Sequence, residues 1–321
     1  MTAFSSSARR ILAILAQQHT GRATTPDMLE PVASGASGRS IMRVHGLMAI
    51  HWTGIRADNN SFLPAARGLA AAGIRVPAIA AELSLPDACG ACLTEDLGMI
   101  DLLSLKNAPE EEILDAYRRA IDTLIPFWQL KPDWELQPAF DTAMYRWEQE
   151  YFAEHFIGRH LGLKSDDFLN QSALQDMAEW LAALPRVPVH RDCQSQNIML
   201  KDGQAWLIDF QGMRMGLAEY DLAALLYDPY MELGLNTRLE ILRYWSEQSG
   251  QPLRTDIFAA CAMQRLMQAL GAFANIGHNM GKDWYLKQIP AALTALRHVI
   301  DNTQPGSPAT AAAACLHHVV K

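Results

Sequence analysis

Two short polar runs carry the chemistry legible in this chain: His190-Arg191-Asp192-Cys193-Gln194-Ser195-Gln196-Asn197 and, further on, Ile208-Asp209-Phe210-Gln211-Gly212. In a loop of the form H-R-D-x-x-x-x-N the Asp accepts or orients a hydroxyl proton and the Asn ligates Mg²⁺, while a following D-F-x-G turn supplies a second oxygen ligand. Residue types and order therefore point to phosphoryl transfer, with Asp192 as base and Asn197 and Asp209 as metal ligands. Mg²⁺ is a hard ion that takes a few protein oxygens beside phosphates and water, so one amide oxygen and one carboxylate suit it when a nucleotide brings the rest.

Local elements must place these groups. Ile198-Met199-Leu200 and Ala205-Trp206-Leu207-Ile208 read as short apolar strands, with Lys201-Asp202-Gly203-Gln204 a turn centred on Asp-Gly, so a hairpin is expected to fold Asn197 back beside Asp209. Val187-Pro188-Val189 leads into the loop as an extended segment. Upstream, the small residues between Val32 and Ser40 separate two strand-like runs, letting backbone N–H groups approach phosphates without interference from Cβ atoms. Ser37, Gly38 and Arg39 are its nucleotide-binding candidates, Arg39 adding charge. The next strand, 47–52, is where a kinase plan carries a Lys for the phosphates, and here it has none; Arg39 or Arg43 substitutes, or binding leans on metal and backbone. The run from Ala91 to Gly98 reads as an apolar strand ending in an acidic turn and a glycine, and in a two-lobed kinase plan backbone groups near Glu95 to Leu97 would bond an adenine edge.

Composition bounds the rest. The chain has 321 residues, half of them hydrophobic, enough for about two domains with buried cores. Lys and Arg number 27 against 35 Asp and Glu, a net charge of -8, which leaves no electrostatic footprint for nucleic acid or an anionic membrane. Arg9-Arg10 before a short apolar run is reminiscent of a signal peptide. The run breaks at Gln17-Gln18-His19 without a small-residue cleavage pattern and reads instead as an amphipathic helix capped from Ser5-Ser6-Ser7, with Ile11, Leu12 and Leu15 on one face. No segment approaches the roughly twenty apolar residues of a membrane span, and a cytoplasmic enzyme with access to nucleotide is expected. Cys89, Cys92, Cys193, Cys261 and Cys315 make no disulfide framework, and the C-x-x-C at 89–92 lacks a second ligand pair, so it is read as packing.

A helix is expected over 61–72, with Phe62, Leu63, Leu69 and Ala70 available to pack and Gly73 as its stop; a new extended stretch starts at 74–77. From about residue 99 the pattern is mostly helical, over 110–130, 140–156, 171–184, 237–248, 255–275 and 282–300. The pattern divides into an N-terminal nucleotide-binding lobe at 1–97, a C-terminal catalytic and substrate-binding lobe at 98–304 and a tail at 305–321, in which residual helix toward Val320 stays open. The fold class expected is α+β, a two-lobed protein-kinase-like fold with a small β-rich N-lobe and a larger, mostly helical C-lobe.

With these elements in order, the chain resembles the aminoglycoside phosphotransferase and choline kinase superfamily over nearly its whole length. Within it, the chain is similar to the bacterial sugar kinases that phosphorylate N-acetylmuramate and N-acetylglucosamine at the anomeric hydroxyl. The runs that carry this are Gly35 to Arg39, Thr94 to Gly98, Trp147-Glu148 with Tyr151-Phe152, the loop from His190 to Asn197, Asp209 to Arg214, Tyr220 to Ala223, and Gln264-Arg265 with Gln268 to Phe273. The resemblance implies ATP and Mg²⁺ as cofactors, a small-molecule sugar as substrate and a nucleotidyltransferase as downstream pathway partner. It makes Asp192 the base, Asn197 and Asp209 the metal ligands, and Gln194 the occupant of the position where protein kinases put a Lys toward the transferred phosphate. Glu148 either bonds sugar hydroxyls or is a solvated helix residue; Arg214 meets a phosphate, a sugar carboxylate or Glu219. Asp221, at the start of a helix, is read as a cap that steadies the loop. Sugar kinases of this branch commonly lack the strand Lys. A kinase for an aminoglycoside, choline or another small alcohol, and a nucleotide-binding pseudokinase without turnover, stay open as alternatives.

Overall fold

The computed structural model describes residues 6–32 and 38–320. Helix α1 (Ser6–Thr20) turns Leu12, Ala13, Leu15 and Ala16 toward a sheet made of β1 (Glu30–Pro31), β2 (Ser40–Val44), β3 (Leu47–Trp52), β4 (Ile79–Ser84) and β5 (Gly90–Glu95). The order across this antiparallel sheet is β1-β2-β3-β5-β4. Register is fixed by pairs such as Met42 with Ala49 and Ala49 with Leu93. Met42, Val44, Ala49, Ala91 and Leu93 fall on one face by strand alternation and bury against α1. Helix α2 (Phe62–Ala71) buries Phe62, Ala65, Ala66 and Leu69, while Ala70, expected to pack, is exposed. The extended stretch expected at 74–77 is not a strand: Pro77 cannot donate to a ladder, and the strand begins at Ile79.

A second, mostly helical set starts with α3 (Glu110–Trp128), whose first turn holds three Glu against the helix dipole. Helix α4 (Thr142–Phe152) is capped by Asp141, whose Oδ1 accepts from the Met144 N–H at 2.8 Å, and runs on through a π-helical segment, Ala153–His160. After α5 (Asp166–Leu169) and α6 (Ser172–Ala183), the chain passes through β6 (Val187–Val189), the His190–Asn197 loop and a hairpin of β7 (Ile198–Lys201) and β8 (Gln204–Leu207). It returns as β9 (Arg214–Gly216), antiparallel to β6. Then follow α7 (Ala218–Leu226), α8 (Leu235–Ser249), α9 (Thr255–Met280), α10 (Asp283–Leu286), α11 (Ile289–Asp301) and α12 (Pro308–Val320). The single helix expected over 282–300 is two, because Pro290 fits the first turn of α11 but not the interior of a longer helix.

The chain divides into two compact units, one of 1–100, 132–137 and 199–212, the other of 101–131, 138–198 and 213–321. The first gathers three separate segments because they bond to each other: the Leu200 N–H donates to the Ile100 carbonyl at 2.7 Å and the Leu207 N–H to that of Arg75 at 2.9 Å. In the second, α9 is the central element. By length and composition it is apolar enough to cross a membrane, contrary to the expectation of no such segment, but 78% of that apolar window is buried inside the protein. At Gly271 a Cβ would stand 3.0 Å from the Tyr151 carbonyl oxygen, so α9 approaches α4 as closely as it does because that residue has no side chain.

The expected tail is a helix. The alanine run gives α12 a narrow face on which Ala309, Ala312, Ala313, Leu316 and Val320 are buried, and the Arg297 side chain donates to the Val320 carbonyl at 2.6 Å. Leu316→Ala should therefore cost about 2–4 kcal/mol of stability, read as a lower urea midpoint; a midpoint unchanged from the parent protein would place α12 outside the folded unit.

Candidate active site

The loop after β6 is held at both ends by buried carboxylates. Asp221 in α7 accepts from the His190 N–H at 2.7 Å and the Trp128 indole N–H at 3.0 Å through Oδ2, and from the Arg191 N–H at 2.9 Å through Oδ1. These bonds hold Arg191 in a left-handed conformation, φ 76°, that a non-glycine residue adopts only under constraint. Asp228 grips the other end, its Oδ2 accepting from the Ser195 N–H at 2.8 Å and hydroxyl at 2.5 Å, and its Oδ1 from the Tyr230 N–H at 2.9 Å. Within the loop, the Asn197 amide donates to the Asp192 carbonyl at 2.8 Å, which leaves the amide oxygen as its acceptor end.

Asp192 thus sits on a braced turn with a third of its side chain exposed, Arg265 Nη2 3.6 Å from Oδ1 and Arg191 Nη1 3.8 Å from Oδ2. Burial works to raise its pKa, but the positive charges of Arg191, Arg265, His190 and Arg214 outweigh it and hold the carboxyl below the ordinary value. It is ionised at neutral pH. Arg265 also donates to Gln194 Oε1 at 3.3 Å and bonds Gln268.

Glu148 lies behind this surface, fully buried. The Tyr220 hydroxyl donates to its Oε1 at 2.6 Å and Gln264 Nε2 to its Oε2 at 3.2 Å, with Gln149 donating to Gln264 Oε1 at 2.8 Å. Both alternatives read for it, a ligand of sugar hydroxyls and a solvated helix residue, meet the same obstacle: no part of the carboxylate reaches the surface. Burial pushes its pKa up to about 7 against the Tyr220 bond and the Arg191 and Arg265 charges. Arg214 is buried too, its guanidinium 5.4 Å from the Phe140 ring centre and its pKa lowered to about 10, first by burial and then by the like charge of Arg191. Glu219 is occupied by two of the three guanidinium nitrogens of Arg254, Nε at 2.7 Å and Nη2 at 2.8 Å.

In the other unit, Asp209 follows β8 with a left-handed φ of 62°. Its Oδ1 accepts from Arg39 Nη2 and from Gln211 Nε2, the latter at 3.2 Å. The Arg39 guanidinium lies 5.6 Å from the ring centre of Phe62, which stacks on Phe210 at 5.3 Å, and burial lowers its pKa to about 10. Arg43 instead bonds Asp96 at 2.5 and 3.0 Å and the Gly98 carbonyl at 3.0 Å. Of the two arginines expected to replace the strand Lys, only Arg39 meets Asp209. His51 lies on the face that packs against α1, shared with Ala49 and Ala91. Glu95 pairs with Lys201 at 2.5 Å, Leu97 is buried, and Gly38 takes φ 70° at the exposed end of its loop. Ser37 lies outside the described residues. Cys92 is buried in β5 and Cys193 in the loop, and burial raises both thiols.

Asn197 in the helical unit and Asp209 in the other each carry a hard oxygen of the kind Mg²⁺ takes, and Asp209 already draws a cationic partner. Among the described residues no group of three His, Cys, Asp or Glu side chains forms a closed metal site.

A model of the phosphotransferase enzyme family matches residues 30–256. The chain belongs to that family. An N-acetylmuramate/N-acetylglucosamine kinase of Pseudomonas aeruginosa is 32% identical over 294 residues, covering 83% of this chain and 81% of that protein. Among solved structures, a choline/ethanolamine kinase family protein from Mesorhizobium loti superposes with a TM-score of 0.63 at 16% identity, over 97% of this chain and 98% of that one. An aminoglycoside phosphotransferase from Streptomyces rimosus, in complex with ADP and streptomycin, gives 0.59 at 16% identity, over 79% and 96%. The phosphotransferase thus has the protein-kinase-like fold expected of it, and it is an enzyme acting on a hydroxyl acceptor.

Arg265 and Asp228 were not singled out as site residues. Arg265 stood inside a run quoted for the resemblance, so its signal was present; Asp228 had none, being one acid in an irregular stretch. In the phosphotransferase the raised pKa of Glu148 makes its ionised form a burden on folding. The native state holds this proton up to about pH 7, while an unfolded Glu loses it near its ordinary value, so stability falls as pH rises between the two, by roughly 3 kcal/mol in all. Glu148→Gln should flatten that slope when melting temperature is followed from pH 4.5 to 8; an identical slope in both proteins would exonerate Glu148.

Proposed function

We propose that the phosphotransferase moves the γ-phosphoryl group of ATP to a sugar hydroxyl, the anomeric hydroxyl of N-acetylmuramate, N-acetylglucosamine or a related hexose. The observation that carries this is Asp192, ionised between two guanidinium groups on a loop braced at both ends, joined to the 32% identity with a kinase named for those sugars. An anomeric hydroxyl is more acidic than an ordinary alcohol. A carboxylate held below its ordinary pKa is a weak base, so Asp192 orients the hydroxyl and takes its proton late, and positioning and charge neutralisation supply most of the rate.

Ser37, Gly38 and Arg39 are assigned to the nucleotide phosphates and the backbone at Glu95 and Leu97 to the adenine edge. Asp96 keeps that turn in place through Arg43 and the Gly98 N–H, which it accepts at 2.9 Å. Asn197 and Asp209 would hold Mg²⁺, which when bound neutralises charge on the phosphates. Gln194 lies beside the base and faces the transferred group. Arg214 is assigned to a substrate anion, and Glu148 to support of the substrate side of the loop through Tyr220 and Gln264. A sugar 1-phosphate is the natural substrate of a nucleotidyltransferase, which would act next, and the need for ATP places the enzyme in the cytoplasm.

The test is ADP release in the presence of Mg·ATP with N-acetylmuramate, N-acetylglucosamine, other hexoses, choline and aminoglycosides offered separately. The N-acetylated sugars should stimulate it most; preference for choline or an aminoglycoside would move the acceptor, and stimulation by none despite nucleotide binding would make the chain a pseudokinase. With the best acceptor, Asp192→Asn should lower kcat by about 10²–10⁴-fold with Mg·ATP affinity nearly intact. Near-normal turnover in that variant would remove Asp192 from the mechanism.

A further inference from the structure

Phosphoryl transfer needs positive charge where the transferred group passes, and the loop itself presents a neutral residue there, Gln194. The nearest cation to both Asp192 and Gln194 comes from far along the chain. Arg265 in α9 places Nη2 3.6 Å from Asp192 Oδ1 and 3.3 Å from Gln194 Oε1. Only 11% of its side chain is exposed. Its partner on the same helix, Gln268, orients Nη1.

The support beneath Arg265 is rigid for a reason visible in the side chains. Gln264, the preceding residue, is fully buried and donates to the Tyr145 carbonyl at 3.0 Å and to Glu148, while accepting from Gln149. This turn of α9 is locked against α4 by side chains with no exposure, and the adjacent residue projects a charged fork to the one place where the base and Gln194 meet. Because the surrounding carboxylates of Asp192 and Glu148 favour its charged form more than burial opposes it, Arg265 stays protonated.

We propose that Arg265 is the cation that neutralises the transferred phosphoryl group, delivered from α9 to the position where the loop carries Gln194. The inference rests on the kinase reading of this site. Keeping Asp192 ionised is a second consequence of the same placement, and it is the purely electrostatic role against which the proposal is tested.

The measurement that needs no sugar is the binding of Mg·ADP with and without fluoroaluminate, a planar anion that imitates the transferred group. In the parent protein fluoroaluminate should tighten binding. In Arg265→Gln, affinity for Mg·ADP should stay within about threefold, while the gain from fluoroaluminate should shrink at least about tenfold, the effect of removing one charge-assisted hydrogen bond or more. Arg265→Gln combined with Gln194→Lys, which returns the charge from the loop, should restore at least a tenth of that gain and of kcat. Gln194→Glu leaves α9 untouched and ties up the guanidinium, so it should reproduce the loss even where Arg265→Gln folds poorly. An undiminished fluoroaluminate gain in both Arg265→Gln and Gln194→Glu would overturn the proposal. So would recovery of parental kcat in Arg265→Gln merely by raising the pH, since that result confines Arg265 to the ionisation of Asp192. A parent protein that binds neither Mg·ADP nor fluoroaluminate would instead overturn the kinase reading, and this inference with it.

Discussion

The helical unit depends on one buried carboxylate, that of Asp221. A loop outside helix and sheet leaves its backbone N–H groups without ladder partners, so they need acceptors from elsewhere. Asp221 supplies them to two consecutive residues, His190 and Arg191, and takes a third bond from Trp128 in α3. Hydrogen bonds to a charged acceptor contribute about 1.5–3 kcal/mol each, enough to offset the cost, of order 1–3 kcal/mol, of a left-handed non-glycine residue such as Arg191. Strain in the loop and the buried charge beneath it are therefore parts of one arrangement. Either alone would be unfavourable.

The same balance governs Asp192. A carboxylate drawn partly out of water tends to protonate, and a protonated Asp192 could not take up a hydroxyl proton. Guanidinium groups on two sides reverse that tendency. Glu148 shows the outcome without such close partners: it too has arginines in its surroundings, yet full burial wins and its pKa rises to about 7. Two carboxylates in one unit are thus shifted in opposite directions, Asp192 downward by the charges that flank it and Glu148 upward by its burial.

How much of this was legible in the sequence varies with how local the cause is. The loop and its hairpin depend on neighbours a few residues away, and their types and spacing announce them; Asp221, expected to cap a helix, stands instead inside α7 behind the cap position at Leu217 and steadies the loop by accepting from His190 and Arg191. The helices were readable from periodicity, whereas their ends were not: Pro290 divides one helix into α10 and α11, and the alanine run at 309–314 reads as low-complexity tail although its narrow face fits a groove that only the finished fold provides. Ala70 misled because α2 shows a narrower face to the core than its composition suggests. The first unit draws on 132–137 and 199–212 as well as on the N-terminal hundred residues, a grouping that comes from backbone bonds between distant segments and leaves no composition signal.

The least legible feature is where the cations come from. The strand where a kinase plan carries a lysine has none, and the sequence offers Arg39 or Arg43 in its place. Arg43 is taken up by Asp96 and the Gly98 carbonyl. Arg39 stands just before β2 and reaches Asp209. In the helical unit Arg265 likewise reaches Gln194 from a helix 71 residues downstream. What a charged site requires is a charge at a point in space. A motif records that requirement only while the same strand or loop satisfies it, and once another element takes over, the motif shows a gap where the chemistry has none.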